Sequence, residues 1–265
     1  MGEDFIQRNT FSKHVYIFLT KVQIALKENT EYKINLWSAI ITNIIYFSVI
    51  MIFYSAISPL LEEILGWTII DFSLYLSMGL LLGKFQGIFT LKFLQRVLLK
   101  GDFNSILCKP VNSFFYFSTQ FRGMILVTLV IFIIINFILI LLYYNLSFLF
   151  LFYFLFSIVY TSLFFSLFMS TAFFMKENSL FLNIPRQLNN RIKEFTPKAF
   201  ERYSFATLIY ILPTASTSFI LVEFLRGNSQ YFDIISKIVF PSFIVMVFGI
   251  YIMWKQGLKK YEAYG

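Results

Sequence analysis

The sequence predicts an all-α integral membrane protein with six transmembrane helices and an N-terminal amphipathic helix lying on the membrane surface. Three observations carry this reading: the composition, the spacing of apolar runs, and the placement of basic residues. Of 265 residues, 58% are hydrophobic and 14% charged, against roughly 25% charged in a soluble globular domain. Aromatics reach 21% and Phe alone contributes 36, so apolar side chains must face outward as well as inward, and lipid is the solvent that tolerates this. No shift in composition marks an appended module, which makes residues 1–265 a single transmembrane domain.

Taken in order, Met1 to Lys13 lacks an apolar core segment followed by small residues, so no cleavable signal peptide is expected. The first span would act as its own insertion signal. Residues 11–30 place Val15, Phe18, Leu19, Val22 and Leu26 at helical spacing, with Lys13, Thr20, Lys21 and Lys27 largely opposite. That pattern predicts a helix lying on the cytoplasmic membrane surface. Apolar runs follow at about 36–57, 69–91, 124–144, 148–175, 204–223 and 238–254. Each is near the roughly 20 residues that cross about 30 Å of hydrocarbon.

Orientation follows from Lys and Arg. Of the 22 basic residues, all but Lys84, Arg226 and Lys237 flank the ends predicted to be cytoplasmic. The positive-inside rule then puts both termini and the two long loops in the cytoplasm of a multi-pass cell-membrane protein. A net charge of +8 does not indicate nucleic acid, because the basic residues border apolar runs instead of clustering on a polar surface.

The chain carries no site for chemistry of its own that the sequence reveals. One cysteine, Cys108, and one histidine, His14, can form neither an internal disulfide nor a metal centre. Neither G-x-S-x-G nor H-E-x-x-H occurs, so no enzyme is predicted. The stretch Gly79 to Lys84 departs from a Walker A loop, with three residues between the glycines and Phe85 after the lysine. Gly79, Gly83 and Gly87 instead share one helix face at four-residue spacing, a ridge suited to close helix packing. Lys84, inside the second span, is expected either to snorkel toward the headgroups or to face a polar cavity. No carboxylate lies deep in a span to partner it, which argues against an ion-driven carrier.

The most informative loop is Arg96 to Ser113. Gly101 can end a helix continuing from span two, Asp102 can cap a new short one, and Pro110 can stop it. The result would be a knob presenting Phe103, Ile106 and Leu107 beside Lys100 and Lys109, suited to docking a cytoplasmic partner.

That loop resembles the permease subunits of ATP-binding-cassette transporters of the type-2 exporter class, with Gly101, Asp102, Ile106, Leu107, Lys109, Pro110, Val111 and Asn112 at the matching places. Leu212, Pro213, Thr214 and Gly227 give a second match. The tail, Trp254-Lys255-Gln256-Gly257-Leu258-Lys259-Lys260-Tyr261, is similar to that class's closing W-x-x-G-L-x-x-Y. The chain departs from the class at Ser216 to Phe219, where a second proline is common.

The resemblance implies a permease without an ATPase site that pairs with a second, identical or homologous permease and with separate ABC ATPase subunits. ATP and Mg would bind on those partners, with no cofactor in this chain. Residues 101–110 would form a short cytoplasmic coupling helix. The other reading is a non-transporting membrane scaffold or channel-like assembly subunit. Aromatic-rich spans suit lipids, peptides or amphipathic drugs equally.

Overall fold

The computed structural model describes residues 10–31, 33–89, 91, 93–109, 112–119, 123–175, 179–192, 196–200, 206–228 and 230–262. Among these residues there is no β-strand. The chain runs through α1 (Thr10–Glu31), α2 (Lys33–Leu65), α3 (Ile69–Ile88), three short helices α4 (Leu94–Lys100), α5 (Phe103–Leu107) and α6 (Ser113–Ser118), then α7 (Gly123–Tyr143) and α8 (Phe148–Ser170). A 3₁₀ turn at Thr171–Phe173 extends α8. It is followed by α9 (Ser179–Ile192), α10 (Ala206–Ile211), α11 (Pro213–Leu225), α12 (Phe232–Ile234), a π-turn at Ile235–Val239 and α13 (Phe240–Glu262).

Two helices sit at the centre. α3 packs against α2, α7, α8 and α11, and α11 against α3, α8 and α9. Nearly every described side chain of α11 is buried, and that enclosure permits Thr214, Ser216, Thr217, Ser218 and Glu223 in a membrane protein. The hydroxyls of Ser216, Thr217 and Ser218 bond within their own helix, as Thr217 Oγ1 does to Pro213 O at 2.6 Å and Ser218 Oγ to Thr214 O at 2.6 Å. Such back-bonding satisfies the donor and lets a neighbouring helix approach closely.

The outer helices are the reverse case. α2 leaves Ile34, Trp37, Ile44, Ile45, Val49 and Ile52 exposed, and α7 leaves Val130, Ile134, Phe137 and Leu141 exposed. The buried stripe of α7 is Leu129, Phe132, Asn136 and Ile140, which recur every three or four residues. Within the bundle, Ser77 Oγ of α3 donates to Asn136 Oδ1 of α7 at 2.8 Å, and Asn136 Nδ2 donates to Phe132 O.

Length and hydropathy support four of the six expected spans. Among the described residues, four helical stretches are long and apolar enough to cross a membrane: Leu36–Pro59, Ile125–Tyr143, Phe148–Phe173 and Phe232–Tyr261. The remaining two runs fall short for physical reasons. α3 carries Asp71, Ser77, Lys84 and Gln86 because its neighbours, and not lipid, surround it. The fifth run is interrupted at Leu212, which adopts ψ 116° because a residue preceding proline is driven out of the helical region. The sixth helix also outruns its expected end, continuing to Glu262. At Ser216 to Phe219, where a second proline is common in the resembling class, α11 is uninterrupted.

Candidate functional site

The end of the bundle where α3 finishes and α7 begins carries a separate aromatic core. Gly101 ends α4 with φ 74°, its N–H bonding to Leu98 O at 3.2 Å, a left-handed conformation that glycine adopts without steric cost. The chain reverses there into α5. Phe103 is 0% and Ile106 7% exposed, whereas Gly101, Asp102, Leu107 and Lys109 remain on the surface. Phe103 and Ile106 are therefore interior groups and not part of an exposed knob; of the three apolar residues expected to form it, Leu107, at 37% exposure, is the one on the surface, beside the exposed Leu99 of α4. Asp102 occupies the helix-start position without a side-chain cap bond. Pro110 and Val111 lie outside the described residues.

The Phe103 ring contacts four others: Tyr261 at 4.9 Å between centroids, Phe117 at 5.3 Å, Phe173 at 5.7 Å and Trp254 at 6.4 Å. This arrangement explains the tail sequence. Trp254, Gly257, Leu258 and Tyr261 recur at the three- and four-residue steps that form one helix face, and Trp254, Leu258 and Tyr261 pack on this core. Gly257 is buried against Phe173, where an added Cβ would lie 2.8 Å from the Phe173 Cβ and closer still to its ring. The rings thus tie α5, α6, the end of α8 and the end of α13 into one unit.

α1 docks beside this unit. His14 meets Phe115 edge-on at 4.6 Å. Lys21 Nζ donates to Tyr116 O at 2.6 Å and Thr119 O at 2.7 Å, so it points inward although the sequence pattern put it on an outward polar face. The carbonyl oxygens freed where α6 ends attract it. Burial, and then the charge of Lys109, lower its pKa from 10.5 to about 8. Val15, Leu19 and Leu26 remain exposed.

Between α3, α7, α8, α9 and α11 lies a half-open cavity of about 450 Å³. Gly79, Gly83, Lys84 and Gly87 all line it. A Cβ at Gly79 would lie 3.7 Å from Thr214 and 3.8 Å from Ser218, and one at Gly87 would lie 3.2 Å from Ile125. At Gly83 it would meet nothing within 4 Å among the described residues, so that side of Gly83 opens on the cavity. The reason is local: Thr214, opposite Gly79, is the second residue of α11, and the close approach of α11 to α3 stops there. Lys84 Nζ donates to Asn43 Oδ1 of α2 at 2.9 Å.

The broken helix beside the cavity has its backbone satisfied by side chains. Thr214 N–H donates to Asn189 Oδ1 at 3.1 Å, and Asn189 Nδ2 donates to Thr214 Oγ1 at 2.7 Å. On the other side of the break, Tyr160 OH donates to Ile211 O at 3.0 Å. Sequence reasoning missed Asn189 and Tyr160; the only local signal was Pro213.

The opposite end of the bundle is closed by a polar clasp that was also missed. Glu223 Oε1 accepts from Trp67 Nε1 at 2.6 Å and Arg226 NH1 at 3.3 Å, and Glu223 Oε2 accepts from Asn228 Nδ2 at 2.8 Å. Asp71 Oδ1 accepts from Tyr144 OH at 2.6 Å and lies 3.7 Å from Arg226 Nε. Its other oxygen accepts from the Thr68 N–H and hydroxyl, closing the box that starts α3. Each carboxylate oxygen of both acids thus has a donor, and Arg226 reaches both acids.

Among the described residues no group of His, Cys, Asp and Glu could hold a metal ion. The sequence profile of the ABC-2 family transporter proteins matches residues 24–265, a stretch that takes in the cavity, the clasp and the aromatic core. No curated protein and no solved structure matches the chain. On the strength of that match over nearly its whole length, the chain belongs to the ABC-2 family of transporter proteins and is a multi-pass membrane protein.

Proposed function

We propose that this chain is the permease of an ATP-driven exporter, forming the translocation path with a second permease and taking its energy from separate cytoplasmic ATPase subunits. One observation carries the reading. The α4–α5 elbow is bonded through Phe103 to the ends of α8 and α13 while leaving Gly101, Asp102, Leu107 and Lys109 on its rim. A push on that rim would reach two membrane-crossing helices through packed rings, and packed cores respond by switching between discrete arrangements. ATP binding, by closing the ATPase dimer, would supply the differential interaction that shifts the equilibrium.

In this reading six segments cross the membrane: α2, α3, α7, α8, the α10–α11 pair, and the run from α12 to α13. α3 and the α10–α11 pair cross sheltered by the others. Both termini are cytoplasmic, and the exposed Val15, Leu19 and Leu26 of α1 rest on the membrane surface. The cavity lies on the cytoplasmic side, and the clasp shuts the outer side.

The test is co-expression with an ABC ATPase, followed by co-purification and labelling of the single cysteine. Cys108 is exposed beside Leu107, so ATPase docking should slow its reaction with maleimide. Leu107→Asp should abolish both the retention and the protection. Isolation of a chain that never retains an ATPase, with Cys108 equally reactive throughout, would favour the scaffold reading.

A further inference from the structure

The hydroxyl that reaches the broken helix from α8 is short of protons. Tyr160 is fully buried, and its OH stands 3.0 Å from Ile211 O and 2.9 Å from Ser242 Oγ of α13. Ser242 Oγ in turn stands 2.8 Å from the carbonyl oxygen of Val239, the last residue of the π-turn. Each hydroxyl carries one proton and a carbonyl oxygen carries none, so three close contacts share two protons. Only two of the three are hydrogen bonds at any one time. In two of the three possible arrangements the Tyr160 proton goes to Ile211 O. In the third it goes to Ser242, Ser242 donates to Val239 O, and the broken helix loses that bond.

The two acceptors of Tyr160 belong to elements with separate tasks. Ile211 O lies at the break before Pro213, beside Thr214, which Asn189 clamps and which lines the cavity. Ser242 lies on α13, which packs along α8 and whose other end holds Trp254 and Tyr261 against the Phe103 ring of the elbow. From Ser242 to Trp254 is about 18 Å of one helix. The π-turn stops where Ser242 bonds, and such turns recur at functional sites.

We infer that Tyr160 is a positioning residue that passes the placement of α13 to the break beside the cavity. While α13 keeps Ser242 close, the Tyr160 proton is divided between α13 and Ile211 O. When α13 shifts away along α8, the proton goes to Ile211 O alone and the break is held firmly. The arrangements interconvert by rotation of two hydroxyls, so a small displacement has a discrete consequence. That this link serves transport rests on the exporter reading; that Tyr160 divides its proton between the two helices does not.

The experiment therefore uses the full chain alone, without ATPase, in phosphatidylcholine nanodiscs. Amide hydrogen exchange is followed by mass spectrometry in peptides covering residues 206–218, which contain the break. Tyr160→Phe removes the donor and should speed exchange there about ten-fold, the order expected for a lost hydrogen bond. Ser242→Ala removes the competing acceptor and should slow exchange about two-fold, as when a donor shared between two equal acceptors is left with one. Ser242 is half-buried, so the variant that carries the opposite sign should fold normally. Ser242→Thr keeps the hydroxyl and should exchange at the wild-type rate. Gly257→Ala, which presses on Phe173 at the far end of α13, should alter exchange at the break in the wild-type background and not in Tyr160→Phe.

Faster exchange in both Tyr160→Phe and Ser242→Ala would reduce the cluster to a structural role and overturn the inference, as would unchanged exchange in Tyr160→Phe. Slowing by Ser242→Ala that Ser242→Thr reproduces would assign the effect to volume and overturn it too. An equal response to Gly257→Ala in both backgrounds, or none in either, would show that α13 does not act through Tyr160. Failure of the exporter reading would instead appear as loss of ATPase co-purification with these exchange rates unchanged.

Discussion

Replacing Phe103 by Ala separates a core residue from a docking contact. Phe103 is fully buried and touches Phe117, Phe173, Trp254 and Tyr261. Of its partners, Phe117 lies on the short helix α6, whereas Phe173, Trp254 and Tyr261 lie at the ends of two of the four long apolar stretches; the packed contacts of the ring are lost on truncation in either surrounding. Truncating a buried Phe to Ala costs about 3–5 kcal/mol, from lost transfer energy and the cavity left behind. At roughly 2–4 °C per kcal/mol for a chain of this size, Tm in detergent should fall by about 10 °C. Leu107→Ala, at the exposed rim, should leave Tm within about 2 °C while weakening ATPase retention. Thermal unfolding followed by circular dichroism, run beside the co-purification, reads both. The reasoning fails if Phe103→Ala unfolds at the wild-type temperature, and fails again if Leu107→Ala is the destabilised protein.

Gly257→Ala should destabilise by about 1–3 kcal/mol, because the overlap with Phe173 outweighs the helix propensity gained; a melting temperature at or above wild type would show that Phe173 moves aside freely. Arg226→Gln leaves Asp71 and Glu223 without their shared cation, and should cost about 2–3 kcal/mol at pH 7, read as a lower melting temperature; an unchanged one would show that the clasp does not need its arginine. Lys21 has a folded pKa below its unfolded value, so the unfolded state holds more protons between about pH 8 and 10.5, and its contribution to stability rises across that window. The wild-type Tm should therefore gain on that of Lys21→Gln over this range, and a gap that narrows would contradict the buried placement. Finally, in a Cys108→Ser background, Gln230→Cys should react with an impermeant reagent applied to intact cells, and Lys259→Cys should not; the reverse pattern would invert the proposed orientation.

Much of this architecture was legible in the order of residues, because hydropathy and helix signals are local properties. Long apolar runs located α2, α7, α8 and α13, whose outer faces meet lipid and must be apolar whatever their partners. Gly101 marked a helix end, since a left-handed turn favours that residue, whereas the fifth run was expected to be continuous through Pro213. The tail from Trp254 to Tyr261 could be matched as a pattern before anything showed what the pattern packs against.

Tertiary structure alone decided which of two opposite environments each ambiguous residue entered. Phe103, Ile106 and Leu107 look equally apolar in the loop, yet two are interior and one is at the rim, because α6, α8 and α13 arrive from one side only. Lys21 sits among surface lysines in the sequence but meets carbonyl oxygens that exist only where α6 ends. Gly83 shares spacing with Gly79 and Gly87 but faces a void, since α11 begins beside Gly79. Asp71, Glu223 and Arg226 read as separate charges near membrane edges; only the approach of α3 to α11 makes them one clasp. In each case the deciding term is contact between elements distant in sequence, and no local pattern encodes which neighbour will arrive.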